Sequence, residues 1–174
     1  FLMPLHRLDR ETSGVMIFAK SNAGKQLSSQ FRDHLIDRRY LAVVDGVVDD
    51  DQGVIETPLE KGDFGGGRKA RPGTGEGSRP AKSRYRVVER YADATLVDIE
   101  VKTGRTHQIR VHMAELGHPL IGDKVYGGSS RFKRHALHAH TLNFRHPATH
   151  KKIALRSPLP QDMAALVEDL RHGQ

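Results

Sequence analysis

Short apolar segments separated by turn residues constrain the fold of this chain more than any other feature. Residues 84–91 and 95–101 alternate in hydrophobicity, and Ala92-Asp93-Ala94 between them predicts the turn of an antiparallel hairpin. Other strands are predicted at residues 15–19, 40–48, 54–57, 136–144 and 151–156. Because single helices interrupt these strands without regular βαβ alternation, we expect an α+β fold, a mainly antiparallel mixed sheet flanked by helices.

Three segments have the spacing of amphipathic helices. The first follows Ser21, a predicted N-cap, and carries an apolar stripe at Ala23, Leu27, Phe31 and Leu35. The second follows a predicted cap at Thr106 and ends at Gly117, with a stripe at Ile109, Met113 and Leu116. The third carries its stripe at Met163, Leu166, Val167 and Leu170.

A Gly-rich segment at residues 62–79 has no apolar period and predicts a flexible loop within one domain spanning residues 1–174. Its basic side chains could contact phosphate: Arg68, Lys69, Arg71 and Arg79. A solvated loop without a function is the alternative.

The composition favours a polyanionic partner. The net charge of +7 and the isoelectric point near 9.9 are typical of nucleic-acid binding, although solubility alone is a second explanation. The absence of cysteine excludes thiol catalysis, Cys-based zinc sites and disulfides, and it is compatible with a cytoplasmic location. No apolar run approaches the roughly 20 residues of a membrane span. We therefore expect a cytoplasmic monomer that contacts no membrane.

The segment with the most chemical information is HRLDRETSG, residues 6–14. It places Asp9 between Arg7 and Arg10, and a nearby guanidinium favours the charged form of a carboxyl group. A structural ion pair or a capping role would explain the same residues, so the chemistry alone does not assign a function to Asp9.

This segment resembles the signature of the RluA-type pseudouridine synthases, in which HRLD is followed two residues later by TSG. Further stretches match that family in the same order: RYLA at 39–42, TGRTHQIRVH at 103–112, GHPLIGD at 117–123, YG at 126–127 and LHA at 137–139. The resemblance covers nearly the whole chain except the Gly-rich segment. It implies a pseudouridine synthase-like catalytic domain that isomerises uridine to pseudouridine in ribosomal or transfer RNA.

The resemblance also implies site residues. Asp9 takes the position of the catalytic carboxylate, Tyr40 that of the aromatic side chain under the target base, and Arg110 that of the carboxylate's basic partner. Without the resemblance, Tyr40 would be interpreted as a core aromatic and Arg110 as a surface arginine. Family members usually begin with a further stretch holding a Lys-Pro-x-Gly segment, so this chain is expected to lack an N-terminal segment.

Three arginines are candidates for RNA contacts: Arg7, Arg10 and Arg105. They could equally pair with nearby acids and carbonyl groups. We expect no cofactor and no metal, although the spacing of His138 with His140, and of His107 with His112 and His118, raises the question of a metal site. The alternative from another functional class is a non-catalytic RNA-binding or ribosome-assembly module on the same fold.

Overall fold

The computed structural model describes residues 1–65 and 67–173. Its strands are β1 (Met3–Pro4), β2 (Ser13–Gly14), β3 (Phe18–Ala19), β4 (Asp37–Asp45), β5 (Gln52–Ile55), β6 (Leu59–Asp63), β7 (Arg68–Pro72), β8 (Ser83–Arg90), β9 (Ala94–Val101), β10 (Leu137–Arg145) and β11 (Lys152–Arg156). Its helices are α1 (Asn22–Lys25), α2 (Leu27–Arg32), α3 (Gln108–Glu115) and α4 (Gln161–Arg171).

Seven of the described strands form the main sheet, in the order β11-β10-β4-β9-β8-β5, with β2 added beside β10. All neighbours along this order pair antiparallel, whereas β2 pairs parallel to β10. The predicted hairpin is confirmed as β8 and β9. The expected α+β fold with a mainly antiparallel sheet is therefore correct.

The central strand β4 divides the core into two layers. Ala42 and Val44 face one side, where α3 contributes Ile109 and Met113. Val43 faces the other side, where all four predicted apolar residues of α4 are buried. Each fully buried aliphatic side chain contributes about 1.5–3 kcal/mol, so packing on both faces fixes the sheet between the two helices. Since side chains alternate along a strand, even-numbered residues of β4 lie on the α3 side.

The helix at α3 differs from the prediction at its N-terminus. Thr106 is not its cap; His107 precedes the helix with φ of 54° and makes no side-chain capping bond. Ile109 and Met113 are buried as expected, but Leu116 is 38% exposed. The predicted left-handed residue after the helix is confirmed at Gly117, whose φ is 93°.

The first predicted helix is shorter than its apolar spacing indicates. Ser21 does cap α1, because its side chain accepts a hydrogen bond from the Gly24 amide. Helix α2 then ends at Arg32, and His34 adopts a φ of 58°. Leu35 therefore lies outside the helix and is 67% exposed. A left-handed residue stops the helical repeat, which apolar spacing alone does not reveal.

Two other segments also differ from expectation. Of residues 15–19, only Phe18 and Ala19 form a strand, which pairs with β1. The Gly-rich segment is not loop throughout: β7 lies within it and pairs antiparallel with β6. Within it, Ala70 is buried against Leu59, Ala81 and Val111, which all lie outside the segment, so no apolar period is visible in the sequence.

Candidate active site

The two residues that open the TSG motif hold the segment that carries Asp9 against strand β10 and the residues just before it. The hydroxyl group of Thr12 lies 2.7 Å from Nε2 of His135, and that of Ser13 lies 2.8 Å from Nδ1 of His138. Nε2 of His138 lies 2.9 Å from a backbone carbonyl oxygen, which can only accept, so Nδ1 accepts the Ser13 proton. The motif thereby fixes where Asp9 stands relative to the sheet.

Gly14 allows the closest approach in this segment. Its φ is 127°, and a Cβ atom there would lie 2.2 Å from the carbonyl oxygen of Ala139. Only glycine fits this position, because both the backbone conformation and the contact exclude a side chain. Arg134, which the sequence analysis did not single out, adds hydrogen bonds from its guanidinium to the carbonyl of Glu11 and the hydroxyl of Ser13.

Asp9 lies in a row of three charged side chains. Nη1 of Arg110 is 3.4 Å from a carboxylate oxygen of Asp9. On its other edge Arg110 donates two hydrogen bonds to Asp123, at 2.7 and 3.0 Å. The exposed fraction of the side chain falls along this row, from 24% in Asp9 to 7% in Arg110 and zero in Asp123. The buried carboxylate of Asp123 therefore fixes the Arg110 guanidinium, whose other edge faces the more exposed carboxylate of Asp9.

The electrostatics of this row follow from its burial. Burial alone would lower the pKa of Arg110. The hydrogen bonds and charge of Asp123 raise this pKa, and Asp9 adds a smaller contribution in the same direction. Burial would likewise raise the pKa of Asp123, but the bonds from Arg110 lower it. The backbone amides of Val125 and Tyr126 also donate to Asp123. Both members of the buried pair are thus charged, and Arg110 presents a fixed positive charge to Asp9.

A cleft of about 500 Å³ opens beside this row. The three site residues that the resemblance implies, Asp9, Tyr40 and Arg110, all line it, as do Arg7 and Arg105. Tyr40 is only partly exposed, and burial raises the pKa of its phenol, so the ring is neutral at physiological pH. The cleft therefore combines an ionisable carboxylate, an arginine and a flat aromatic surface.

The loop before α3 is held by Gln108, the glutamine of the TGRTHQ motif. Its side-chain oxygen accepts hydrogen bonds from the Thr103 hydroxyl and the Arg105 amide, and its nitrogen donates to the hydroxyl of Ser83. Arg105 also donates from Nε to the carbonyl of Pro80 at 2.8 Å. Part of the Arg105 guanidinium is therefore structural, as the sequence analysis had allowed.

A second cleft of about 730 Å³ meets the first at Asp9 and Arg110. Arg7 lines both clefts, whereas Arg10 lines only the second. On its far side are Lys61 and Lys69, from the β6–β7 hairpin. The side chain of Arg68, another predicted phosphate contact, lies outside the described part of the chain. The three predicted RNA-binding arginines are therefore divided between two clefts that share one carboxylate.

Tyr126 connects the hairpin to the charged row, and its role was not predicted. Its hydroxyl group lies 2.7 Å from Nδ1 of His107 and forms hydrogen bonds with both the amide and the carbonyl of Ala70 in β7. Its ring lies beside the Arg110 guanidinium, with Cζ 5.2 Å from the ring centre. The role of Asp123 was not predicted either. The sequence analysis included Asp123 only as part of the GHPLIGD match and Tyr126 only as part of the YG match.

A buried histidine beside the row, His135, carries no charge at physiological pH. Burial, reinforced by the charge of Arg110, lowers the pKa of His135 to about 4.

His138 and His140 both donate to the carbonyl of Ser157, so neither nitrogen involved is free for a metal. Among the residues that the structure describes, no three His, Asp or Glu side chains are grouped as metal ligands. In the same residues, no helix is both long and apolar enough to cross a bilayer.

Comparisons with known proteins agree with this geometry. The family model described as RNA pseudouridylate synthase matches residues 1–115. An uncharacterized RNA pseudouridine synthase of Bacillus subtilis is 42% identical over 96% of this chain and 55% of its own length. The ribosomal large subunit pseudouridine synthase D of Nitrosomonas europaea is 38% identical over 97% of this chain and 51% of its own.

The solved structure of human RNA pseudouridylate synthase domain containing 1 superimposes with a TM-score of 0.79 at 27% identity, covering 98% of this chain and 80% of that one. The chain therefore belongs to the RNA pseudouridylate synthase family, in its RluA-type branch. It spans about half the length of the curated relatives named above.

Proposed function

We propose that this chain is an RNA pseudouridine synthase, an isomerase that detaches uracil from ribose, turns the base and rejoins it through C5. The observation that carries the proposal is the pairing of Asp9 with Arg110 at 3.4 Å in a cleft that Tyr40 also lines. The product has the same composition as the substrate, since the N1–C1′ bond is replaced by a C5–C1′ bond while C5 loses a proton and N1 gains one. The reaction needs no net oxidation and no energy source.

Asp9 is the proposed catalytic carboxylate. Cleavage of the glycosidic bond develops positive charge on the sugar, which a carboxylate on the face of the ring stabilises or captures at C1′. Alternatively, the same carboxylate removes a ribose proton and gives a glycal. Both routes require an ionised Asp9 with access to the sugar, and the 24% exposure of its side chain gives that access.

Arg110 and Tyr40 complete the proposed site. Arg110 orients the carboxylate through a charge-assisted contact at 3.4 Å. Tyr40 offers a face on which the detached uracil stacks, an interaction worth roughly 1–3 kcal/mol per base in other nucleic-acid-binding proteins. Its hydroxyl group is neutral and can take part in moving the C5 proton.

The proposed substrate is ribosomal RNA, because the relative from N. europaea is named for the large ribosomal subunit. A uridine inside a stacked helix does not expose C1′ and C5, so the target nucleotide must turn out of the stack. Arg7, Arg10 and Arg105 line the two clefts and are the proposed RNA contacts. A cytoplasmic location follows from the proposed substrate.

The test is an Asp9→Asn substitution, which keeps the shape of the side chain and removes its charge. We expect pseudouridine formation to stop while RNA binding persists, because affinity comes mainly from Lys and Arg contacts to phosphate. Pseudouridines are mapped in ribosomal RNA from cells that carry the wild-type gene, no gene, or the Asp9→Asn gene. Tritium release from RNA labelled at uridine C5 then measures turnover directly.

An equal pseudouridine pattern with and without the gene would favour a non-catalytic RNA-binding or ribosome-assembly role. Normal tritium release by the Asp9→Asn variant would remove Asp9 from the mechanism. Loss of both turnover and binding would indicate that Asp9 acts mainly in folding, through its ion pair with Arg110.

A further inference from the structure

Arg38 is a further arginine in the wall of the Asp9 cleft, and neither the sequence motifs nor the proposed mechanism uses it. It precedes Tyr40 by two residues on β4, so the two side chains lie on the same face, roughly 7 Å apart along the strand. Tyr40 also lines the cleft, and burial lowers the pKa of Arg38, as expected for a cation held away from water.

Arg38 has no charged partner in the part of the chain that the structure describes. Among the described residues, no carboxylate lies within ion-pair distance of it, and its one hydrogen bond runs from Nη2 to the carbonyl of Lys102. Its neighbour Arg39 is the opposite case, since Asp98, Glu100 and Asp37 all lie within 4 Å of that guanidinium. A partly buried cation without a counter-charge is costly, and an anionic ligand removes that cost.

The guanidinium of Arg38 contacts an aromatic ring and a glycine. The guanidinium lies over the ring of Phe31, with Cζ 5.9 Å from the ring centre, and Phe31 is stacked in turn on His6. On the other side is Gly104, where a Cβ atom would come within 2.9 Å of Nη1. Because Gly104 has no side chain, the guanidinium can lie this close to its backbone.

We propose that Arg38 binds a phosphate group of the RNA strand next to the uridine that stacks on Tyr40. This subsite rests on the proposed function, since it assumes that the cleft holds a nucleotide. A guanidinium presents paired N–H donors that match the oxygens of a phosphate, and the aromatic ring of Phe31 fixes its plane. The subsite would set the position of the sugar relative to Asp9 without touching the reacting atoms.

The test compares Arg38→Gln with Arg39→Gln, which remove the same charge at adjacent positions on opposite faces of β4. Binding to a synthetic RNA stem-loop with a uridine loop is titrated over a series of salt concentrations. For Arg38→Gln we expect the slope of log affinity against log salt to fall in magnitude by about 0.7, the value for one lost phosphate contact on a single strand. We expect the affinity at low salt to fall roughly tenfold. For Arg39→Gln both should stay at the wild-type values.

Two further variants separate binding from folding. Arg38→Lys keeps the charge without the planar fork and should keep the salt slope while losing part of the affinity. Gly104→Ala keeps every charge but moves the guanidinium, so it should weaken binding too. In turnover with the same RNA, Arg38→Gln should raise KM more than it lowers kcat.

Equal salt slopes for Arg38→Gln and the wild type would overturn the subsite, and so would equal losses in Arg38→Gln and Arg39→Gln. Binding does not require turnover, so this comparison holds even if no variant forms pseudouridine, an outcome that would count against the proposed function alone. Pseudouridine formation with unchanged slopes would refute only the role of Arg38.

Discussion

The Asp9 segment and the Gly-rich segment (residues 62–79) both border the candidate site, but they are held in different ways. The Asp9 segment is fixed by side-chain hydrogen bonds from Thr12 and Ser13 and by a glycine that touches the backbone of β10. The Gly-rich segment contains glycines whose surroundings are empty, and its main link to the rest of the site is the Tyr126 hydroxyl.

This difference shows where the site tolerates change. A carboxylate that must meet a sugar atom needs a position defined within a fraction of an ångström, and buried polar bonds supply that definition. A surface that follows an RNA backbone needs charge more than position, since phosphate contacts carry no sequence information. Substitutions should therefore have large effects around Asp9 and small ones in the Gly-rich segment.

The largest effect is expected for Asp123→Ala. It leaves Arg110 buried without its partner, which costs about 3–5 kcal/mol of unfolding free energy. It also frees the guanidinium to move, and a displacement of about 1 Å can lower turnover roughly 100-fold. Urea unfolding and tritium release measure the two losses. The control is Asp63→Ala, an exposed aspartate in β6, which should change stability by less than about 0.5 kcal/mol. Equal losses in the two variants would contradict the contrast.

A pair of glycines gives the next largest difference. Gly14→Ala puts a Cβ atom against the Ala139 carbonyl at a backbone φ of 127°, and we expect it to destabilise the protein by about 2–4 kcal/mol. Gly75→Ala meets nothing within 4 Å and should be neutral, or stabilising by up to about 1 kcal/mol. Thermal unfolding measures the stability of both variants. An unchanged unfolding temperature in the Gly14→Ala variant would show that the Asp9 segment can shift.

The smallest effect is expected for Tyr126→Phe, which keeps the ring beside Arg110 and removes the hydroxyl that binds β7. The hydroxyl contacts the Ala70 amide, the Ala70 carbonyl and His107. Each net hydrogen bond is worth about 0.5–1.5 kcal/mol, so stability should fall by roughly 1–3 kcal/mol. Hydrogen exchange should become faster at the amide of Ala70, which donates to this hydroxyl. Tyr85→Phe is the control, because the Tyr85 hydroxyl makes no hydrogen bond within the described residues. Unchanged exchange at Ala70 would mean that the hairpin is held by its apolar contacts instead.

The sequence predicted those parts of the fold that depend on neighbours along the chain. The four buried residues of α4 follow one helical repeat, and the β8–β9 hairpin follows one turn. The predictions were wrong where one residue changed the backbone direction, as at His34, which ends the first helical segment, and at His107, which stands where Thr106 was expected to cap.

The candidate site was predictable only where a motif carried it. The resemblance identified Asp9 and Arg110, whose contact spans 101 residues of sequence. Neither charge nor periodicity singled out Asp123 or Tyr126, because their roles depend on contacts with residues distant in the sequence. The same holds for Arg38, which differs from Arg39 only in which face of β4 it occupies.

The parallel pairing of β2 with β10 joins two segments that the ribosome synthesises at different times. Thr12 and its partner His135 are separated by 123 residues, and Ser13 and His138 by 125. A ribosome adding about 5–20 residues per second therefore exposes the Asp9 segment roughly 6–25 s before its partners exist. During co-translational folding this segment must wait while β4, β8 and β9 assemble. The carboxylate is thus synthesised well before the residues that fix its position.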